Sequence, residues 1–207
     1  MWPLLLCSFI GLAAVIDRLF AHFSSRLNFE IFIERLKKDL LSTNTFSLPN
    51  WVKDIKSPHS SLTQVYFEYK DQTEKIRNEA LKREGNKLLY SLDKRMSLLS
   101  SIVAVSPLLG LLGTVTGLVV AFYSIELKGG AVQPTDLAGG IWEALLTTVV
   151  GLSIGIPFLL AHKFFQTRND KVAANMQELV SELDEIYALK MKALDTSKVK
   201  NFEAYGS

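Results

Sequence analysis

Residues 96–125, MSLLSSIVAVSPLLGLLGTVTGLVVAFYSI, pass thirty positions without a charge. A helix needs about 20 apolar residues to cross the hydrocarbon core of a bilayer. This stretch therefore decides the fold class: it is a membrane span. It is also an unusual one. Glycines stand at 110, 113 and 117, and threonines at 114 and 116. Glycine weakens a helix, and a threonine hydroxyl gains nothing from lipid tails.

Two further apolar runs flank it. Eighteen uncharged residues separate Glu143 from His162, enough to span if Glu143 lies near one end. Sixteen precede Asp17. That first run is short, but Asp17 and Arg18 can snorkel at an interface. It reads either as a retained helix or as a cleaved signal peptide. No basic residue precedes it, which favours the retained helix. The expected fold is all-α: an integral membrane protein with three transmembrane helices and a cytoplasmic helical bundle.

Charge placement predicts the orientation. Residues 17–95 carry 15 Lys/Arg, the loop 126–137 carries only Lys128, and the tail after His162 carries seven. Positive charge favours the cytoplasmic side. The N-terminus is expected outside and the C-terminus inside. The chain divides into a first crossing (1–20), a cytoplasmic helical region (21–95), a second crossing (96–125), an outside loop (126–137), a third crossing (138–162) and a cytoplasmic tail (163–207).

In the cytoplasmic part, Phe29, Ile33, Leu36 and Leu40 share one helical face. The segment 42–61 is rich in Ser, Asn and Pro and reads as a turn region. From Ser60 the pattern turns helical again through Leu62, Val65, Tyr66, Tyr69, Ile76, Ala80, Leu88, Leu89 and Leu92. No proline intervenes before Pro107, so one helix from Ser60 to Ser124, about 100 Å long, is expected. In the tail, Met176, Leu179, Val180, Leu183, Ile186 and Tyr187 form another stripe. Residues 195–207 are expected to fray. The outside loop, with four glycines and Pro134 between 126 and 140, reads as a flexible connector, and Thr135 or Asp136 as the cap of the third crossing.

Lipid gives helices little hydrophobic reason to associate, so small residues mark their packing surfaces. Gly113 and Gly117 form one GxxxG, and Gly151 and Gly155 another. Thr114, Thr116, Thr147 and Thr148 are ambiguous, because each hydroxyl can bond back to its own helix. Glu143 has two readings. A carboxylate within a span is a functional candidate, and one at the outer boundary is simply hydrated. It shares a face with Thr147, four residues on, but not with Thr148.

The two runs SPLLGLLGTVTGLVVAF (106–122) and LAGGIWEALLTTVVGLSIGIPFLLAHKFF (137–165) together resemble the paired signature of the MotA/TolQ/ExbB proton channel family. The ExbB and TolQ branch is the most similar. The first crossing is also similar, with Asp17-Arg18 where that branch usually has an acidic residue before Arg. The resemblance implies a ring of copies, commonly five, around the single helices of an ExbD/TolR-like partner. Protons would pass between a membrane aspartate of the partner and the ring wall. By motif position, Thr114 and Thr148 line the path, with Glu143 on the third helix. Thr116 and Thr147 correspond more weakly and stand as secondary candidates. Pro157 matches the family's helix-kinking proline, and Gly110, Gly113, Gly117, Gly151 and Gly155 pack the helices. The implied place is the bacterial inner membrane, with a periplasmic N-terminus and a TonB- or TolA-like protein as a further partner. The outside extension of many relatives is absent or trimmed. Three crossings count against the flagellar-stator branch, which has four.

Other classes fare worse. A passive scaffold needs the glycines but not Glu143 beside threonines. No Ser/His/Asp set or phosphate-cradling loop points to an enzyme. Cys7 is the only cysteine, and His22, His59 and His162 lack ligand spacing, so no metal or other cofactor is expected beyond the transported proton. A net charge of +2 without a basic stripe argues against nucleic acid.

Overall fold

A computed structural model describes residues 2–24, 28–43, 45–127 and 134–205. Within them the chain forms α1 (Trp2–Ser24), α2 (Phe29–Ser42), α3 (Asn50–Asp54), α4 (Pro58–Glu68), α5 (Glu74–Leu127) and α6 (Pro134–Tyr205), and no strand. Three of these, α1, α5 and α6, contain segments long and apolar enough to cross a membrane. Only 17% of the most apolar window in each is buried within the chain. The remaining apolar surface is left for lipid or for other chains.

The described residues fall into two compact units: residues 1–24 with 92–168, and residues 25–91 with 169–207. The second is built like a water-soluble bundle. Asn28 caps α2 by accepting from the Glu30 N–H at 3.3 Å. Ser57 caps α4 by accepting from the Ser60 N–H at 3.1 Å, with Pro58 in the first turn. Such caps satisfy donors that a helix start leaves open. The stripes Phe29, Ile33, Leu36, Leu40 and Met176, Leu179, Leu183, Ile186 meet in one core around Tyr66. Phe46, Val52 and Leu81 join it from positions outside the predicted stripes. The supposed turn region also contains α3, which buries Val52 completely.

The long helix expected from Ser60 starts later. Helix α4 ends at Glu68, and α5 begins at Glu74. Between them the Gln72 N–H donates to the Tyr69 carbonyl at 3.1 Å, closing a turn. Asp71 and Thr73 favour such turns because their short side chains compete for backbone partners. The turn shifts the phase of the helix. Ile76, predicted inward, is 45% exposed, and Arg77 is buried instead. The Arg77 guanidinium donates to Asp184 Oδ1 at 2.9 Å, and the Tyr66 hydroxyl donates to the same oxygen at 2.7 Å. The cation also lies over the rings of Tyr66 and Tyr187. Burial and the Asp184 carboxylate push the Tyr66 hydroxyl well above the usual tyrosine range, so it stays a donor.

Helix α6 departs from expectation at both ends. It begins at Pro134, before Thr135 and Asp136, so neither is its cap. Proline suits a first turn because its missing N–H would be unpaired there anyway. It continues to Tyr205, where the tail was expected to fray. No glycine or proline occurs between Pro157 and Gly206 to stop it. Lys128 and the loop centre 128–133 lie outside the described residues, as do Gly206 and Ser207. The His22 side chain lies outside them too.

His59 is buried in the first turn of α4, its ring 5.0 Å from that of Phe29 and 6.2 Å from that of Phe32. Neither ring nitrogen has a hydrogen-bond partner. Burial lowers its pKa from 6.5 to about 4. Above pH 6.5 both folded and unfolded chains hold it neutral. Below that, the unfolded chain takes up a proton first, so stability falls with pH down to about 4. The full loss is at most about 3 kcal/mol. His59→Phe is expected to raise stability at pH 7 by about 1 kcal/mol, by removing an unpaired N–H. Its advantage over the parent should widen between pH 6.5 and 4 in thermal unfolding of the detergent-solubilised chain. Parallel pH profiles for the two proteins would refute this.

Candidate functional site

The unit formed by residues 1–24 and 92–168 is held by backbones that nearly touch. Helices α5 and α6 run antiparallel along a ladder of small residues. A methyl carbon added at Gly140 would lie 2.6 Å from Ala121 Cβ, and one at Gly117 would lie 2.8 Å from Ala144 Cβ. At Gly113 it would lie 2.6 Å from Thr147 Cβ. At Gly151 it would lie 2.7 Å from the Ser106 carbonyl oxygen and 3.0 Å from Gly110 Cα. At Gly155 it would lie 3.1 Å from Pro107 Cγ. Each step of three or four residues along α5 toward its N-terminus is matched by a step of three or four along α6 toward its C-terminus. The ladder covers residues 107–121, about 21 Å of helix.

Helix α1 joins this pair less intimately. Gly11 packs under the Phe158 ring. Val15, Phe158 and Ala161 surround a small core of Met96, Leu99 and Phe165. Arg18 is buried and donates to the Leu92 carbonyl. It therefore does not snorkel outward as its position near the span's end predicts. A charged donor on a backbone carbonyl is a stronger alternative to water than an exposed position requires.

The two prolines open the helix ladders. Pro107 lacks an N–H, so the Val103 carbonyl loses its partner four residues on. That oxygen faces Gly155, where an added carbon would lie 3.8 Å away. Pro157 is exposed and likewise frees the Ser153 carbonyl, while α6 continues as helix through it.

The candidate path residues separate by what their hydroxyls do. Thr114 is half-buried and donates to the Leu111 carbonyl at 2.7 Å. Thr116 is exposed and donates to the Leu112 carbonyl at 2.9 Å. Thr147 lies between two carbonyls, Ala144 O at 2.6 Å on its own helix and Gly110 O at 3.0 Å on α5. Thr148 differs from all three. Its Oγ1 is buried and has no hydrogen-bond partner. Its Cα lies against Gly110. Glu143 is exposed, and Ala144 takes the buried position beside it. The ladder therefore brings Gly110, Thr147 and Thr148 together, while Glu143 and Thr116 stand on open surface. Ala121, Gly140 and Ala144 were missed as packing residues. A search for any small residue at four-residue spacing, rather than GxxxG alone, would have found them. Among the described residues no group of three His, Cys, Asp or Glu side chains could hold a metal.

Residues 54–178 match the model of the MotA/TolQ/ExbB proton channel family. The chain belongs to that family. Its relatives place it in the ExbB/TolQ branch. It is 30% identical over 190 residues to a putative biopolymer transport protein, ExbB-like 3, of Synechocystis sp., covering 89% of each chain. It is 36% identical over 110 residues to the biopolymer transport protein ExbB of Xanthomonas campestris pv. campestris, covering 53% of this chain and 42% of that one. It is 32% identical over 129 residues to the Tol-Pal system protein TolQ of Haemophilus influenzae, covering 61% and 55%. The family match encloses both α5 and the apolar part of α6, and with them the whole small-residue ladder. The chain is thus a membrane channel subunit of the ExbB/TolQ type.

The ladder makes a graded prediction. Gly→Ala in a helix gains about 1 kcal/mol of intrinsic propensity, and overpacking costs about 1–3 kcal/mol. At Gly155 the neighbour is a proline ring edge at 3.1–3.3 Å, a tight contact that a shift of a few tenths of an ångström relieves, so Gly155→Ala is expected to be nearly neutral. At Gly151 the neighbours are backbone atoms that have nowhere to go, so Gly151→Ala should lose about 1–2 kcal/mol. Gly113→Leu should prevent native-size assembly altogether, read by native mass spectrometry. Equal melting temperatures for the two alanine variants, or a native-size assembly of Gly113→Leu, would refute the ladder.

Proposed function

We propose that this chain is the proton-conducting subunit of an ExbB/TolQ-type motor. Copies of it form a ring, five by the family resemblance, around the membrane helix of an ExbD/TolR-type partner. The motor couples the proton motive force to work at the outer membrane, in TonB-type uptake or Tol-type envelope maintenance, through a TonB- or TolA-like protein. Its place is the inner membrane of a bacterium, with the N-terminus periplasmic and the C-terminus cytoplasmic, as the charge distribution favours.

One observation carries the reading. In a helix pair whose other described threonine side chains, Thr114, Thr116, Thr147 and Thr167, donate to backbone carbonyls, the Thr148 hydroxyl is buried and unpartnered among the described residues. Buried polar groups are paired in nearly all native structures, and an orphan calls for an explanation. A partner carboxylate entering the ring supplies one. Thr114 and Thr148 would line the path, with Glu143 at its outer end and Thr116 and Thr147 as secondary candidates. The carboxylate would be ionised where hydroxyls and water reach it and protonated where apolar walls do not. An inward proton across about 100 mV releases about 2.3 kcal/mol of electrical energy. Taken step by step, that energy would turn one part of the assembly against the other.

Proton uptake into lipid vesicles carrying this chain with its partner is the direct test. Flux above that of empty vesicles is expected. An intact complex without flux would overturn the motor and leave a passive scaffold. Thr148→Val, which keeps the shape and removes the hydroxyl, should abolish flux while leaving the assembly at native size. Parental flux in that variant would remove Thr148 from the path.

A further inference from the structure

We infer that Thr147 is a positioning residue that keeps the Thr148 hydroxyl available for an incoming acceptor. The inference rests on the reading of Thr148 as a wall residue of the ion path. A threonine or serine hydroxyl within a membrane helix ordinarily donates to a carbonyl three or four residues back. Ser101, Ser106, Thr114, Thr116 and Ser124 all do so here. The carbonyl four residues behind Thr148 is Ala144 O. That oxygen already accepts the Thr147 hydroxyl at 2.6 Å, besides the N–H that continues the helix. A carbonyl oxygen has two lone pairs, and both are used. The Thr148 hydroxyl is on neither Ala144 O nor Leu145 O, and no other acceptor among the described residues takes it.

The side chain of Thr147 is held in this role from the opposite helix. The missing Cβ of Gly113 leaves the room it occupies. The Gly110 carbonyl, 3.0 Å from Thr147 Oγ1, competes with Ala144 O for the single hydroxyl proton, and the shorter 2.6 Å contact assigns it to Ala144 O. The small-residue ladder, Thr147, Ala144 O and Thr148 thus form one chain of cause. At its end is a buried O–H whose fitting acceptor is a carboxylate of the partner helix. When that carboxylate is ionised, the bond is charge-assisted and strong.

Thr147→Val removes the hydroxyl and keeps the shape, freeing Ala144 O for Thr148. The full chain, threonine-labelled with ¹³C in lipid bilayers, reports this by solid-state NMR without the partner. The Thr148 Cβ and Cγ2 signals should shift in Thr147→Val and return to parental positions in Thr147→Ser. Thr147→Ala removes the same hydroxyl without a second methyl, and it serves if the valine variant fails to assemble. With the partner present, proton uptake at neutral pH should fall about tenfold in Thr147→Val, the weight of one hydrogen bond to a charged group. It should be rescued by Thr147→Ser. Losing that bond should also raise the pH midpoint of uptake, since the ionised carboxylate loses a donor. Unchanged Thr148 signals in both the valine and alanine variants overturn the inference. Equal loss in the serine and valine variants overturns it too. Shifted Thr148 signals with parental flux uphold the positioning and instead overturn the ion-path reading beneath it.

Discussion

The antiparallel approach of α5 and α6 is the contact on which the membrane unit depends. In lipid, two helices gain nothing by hiding leucines from one another, because the tails are just as apolar. They gain from dispersion between closely fitted surfaces. The chain meets that condition with small residues at each rung, from Gly140 against Ala121 to Gly155 against Pro107. Larger residues on the other faces, such as Leu111, Val119 and Leu145, remain exposed. The result is a helix pair whose inner face is nearly bare backbone and whose outer faces are oily. Polar side chains near the ladder then have few places to go, and what each hydroxyl bonds to becomes a matter of one or two carbonyls.

The other unit obeys the opposite rule. There water supplies the driving force, and the core is made of large side chains: Leu36, Leu40, Tyr66, Leu179 and Leu183 are almost wholly enclosed. Its helices are short where they are capped by Asn28 and Ser57. Among its described residues, the one buried cation with a defined carboxylate partner, Arg77, is satisfied by Asp184 and two tyrosine rings. Removing Asp184 would leave that cation buried without its countercharge, which is costlier than losing the pair together. The two units show one chain reading two solvents with two vocabularies of residues.

The three spans were legible because a charge-free run of 16 to 30 residues has few other uses. The stripes on α2 and α6 were legible because the helical period stays in phase over about three turns. The phase was lost at Tyr69–Thr73, where a turn without proline or glycine reset it, and Ile76 and Arg77 changed places as a result. Arg18 was misjudged for a related reason. Its acceptor, the Leu92 carbonyl, is 74 residues away and invisible to any local pattern. In the membrane unit, glycine spacing found the faces on which α5 and α6 approach. The family motif ranked Thr148 above Thr147, but no local pattern shows which carbonyl each neighbouring hydroxyl reaches.

The ladder has a further consequence for motion. Apart from Ser106 and Thr148, which meet it only through backbone atoms, its ten rung residues are six glycines, two alanines, a proline and Thr147. Glycine, alanine and proline have no rotamers to lose or exchange. Thr147 is the only rung residue with a side-chain torsion that has more than one staggered state. A signal travelling along this face has just two forms open to it. Either the two helices shift as whole bodies, or a single χ1 angle turns.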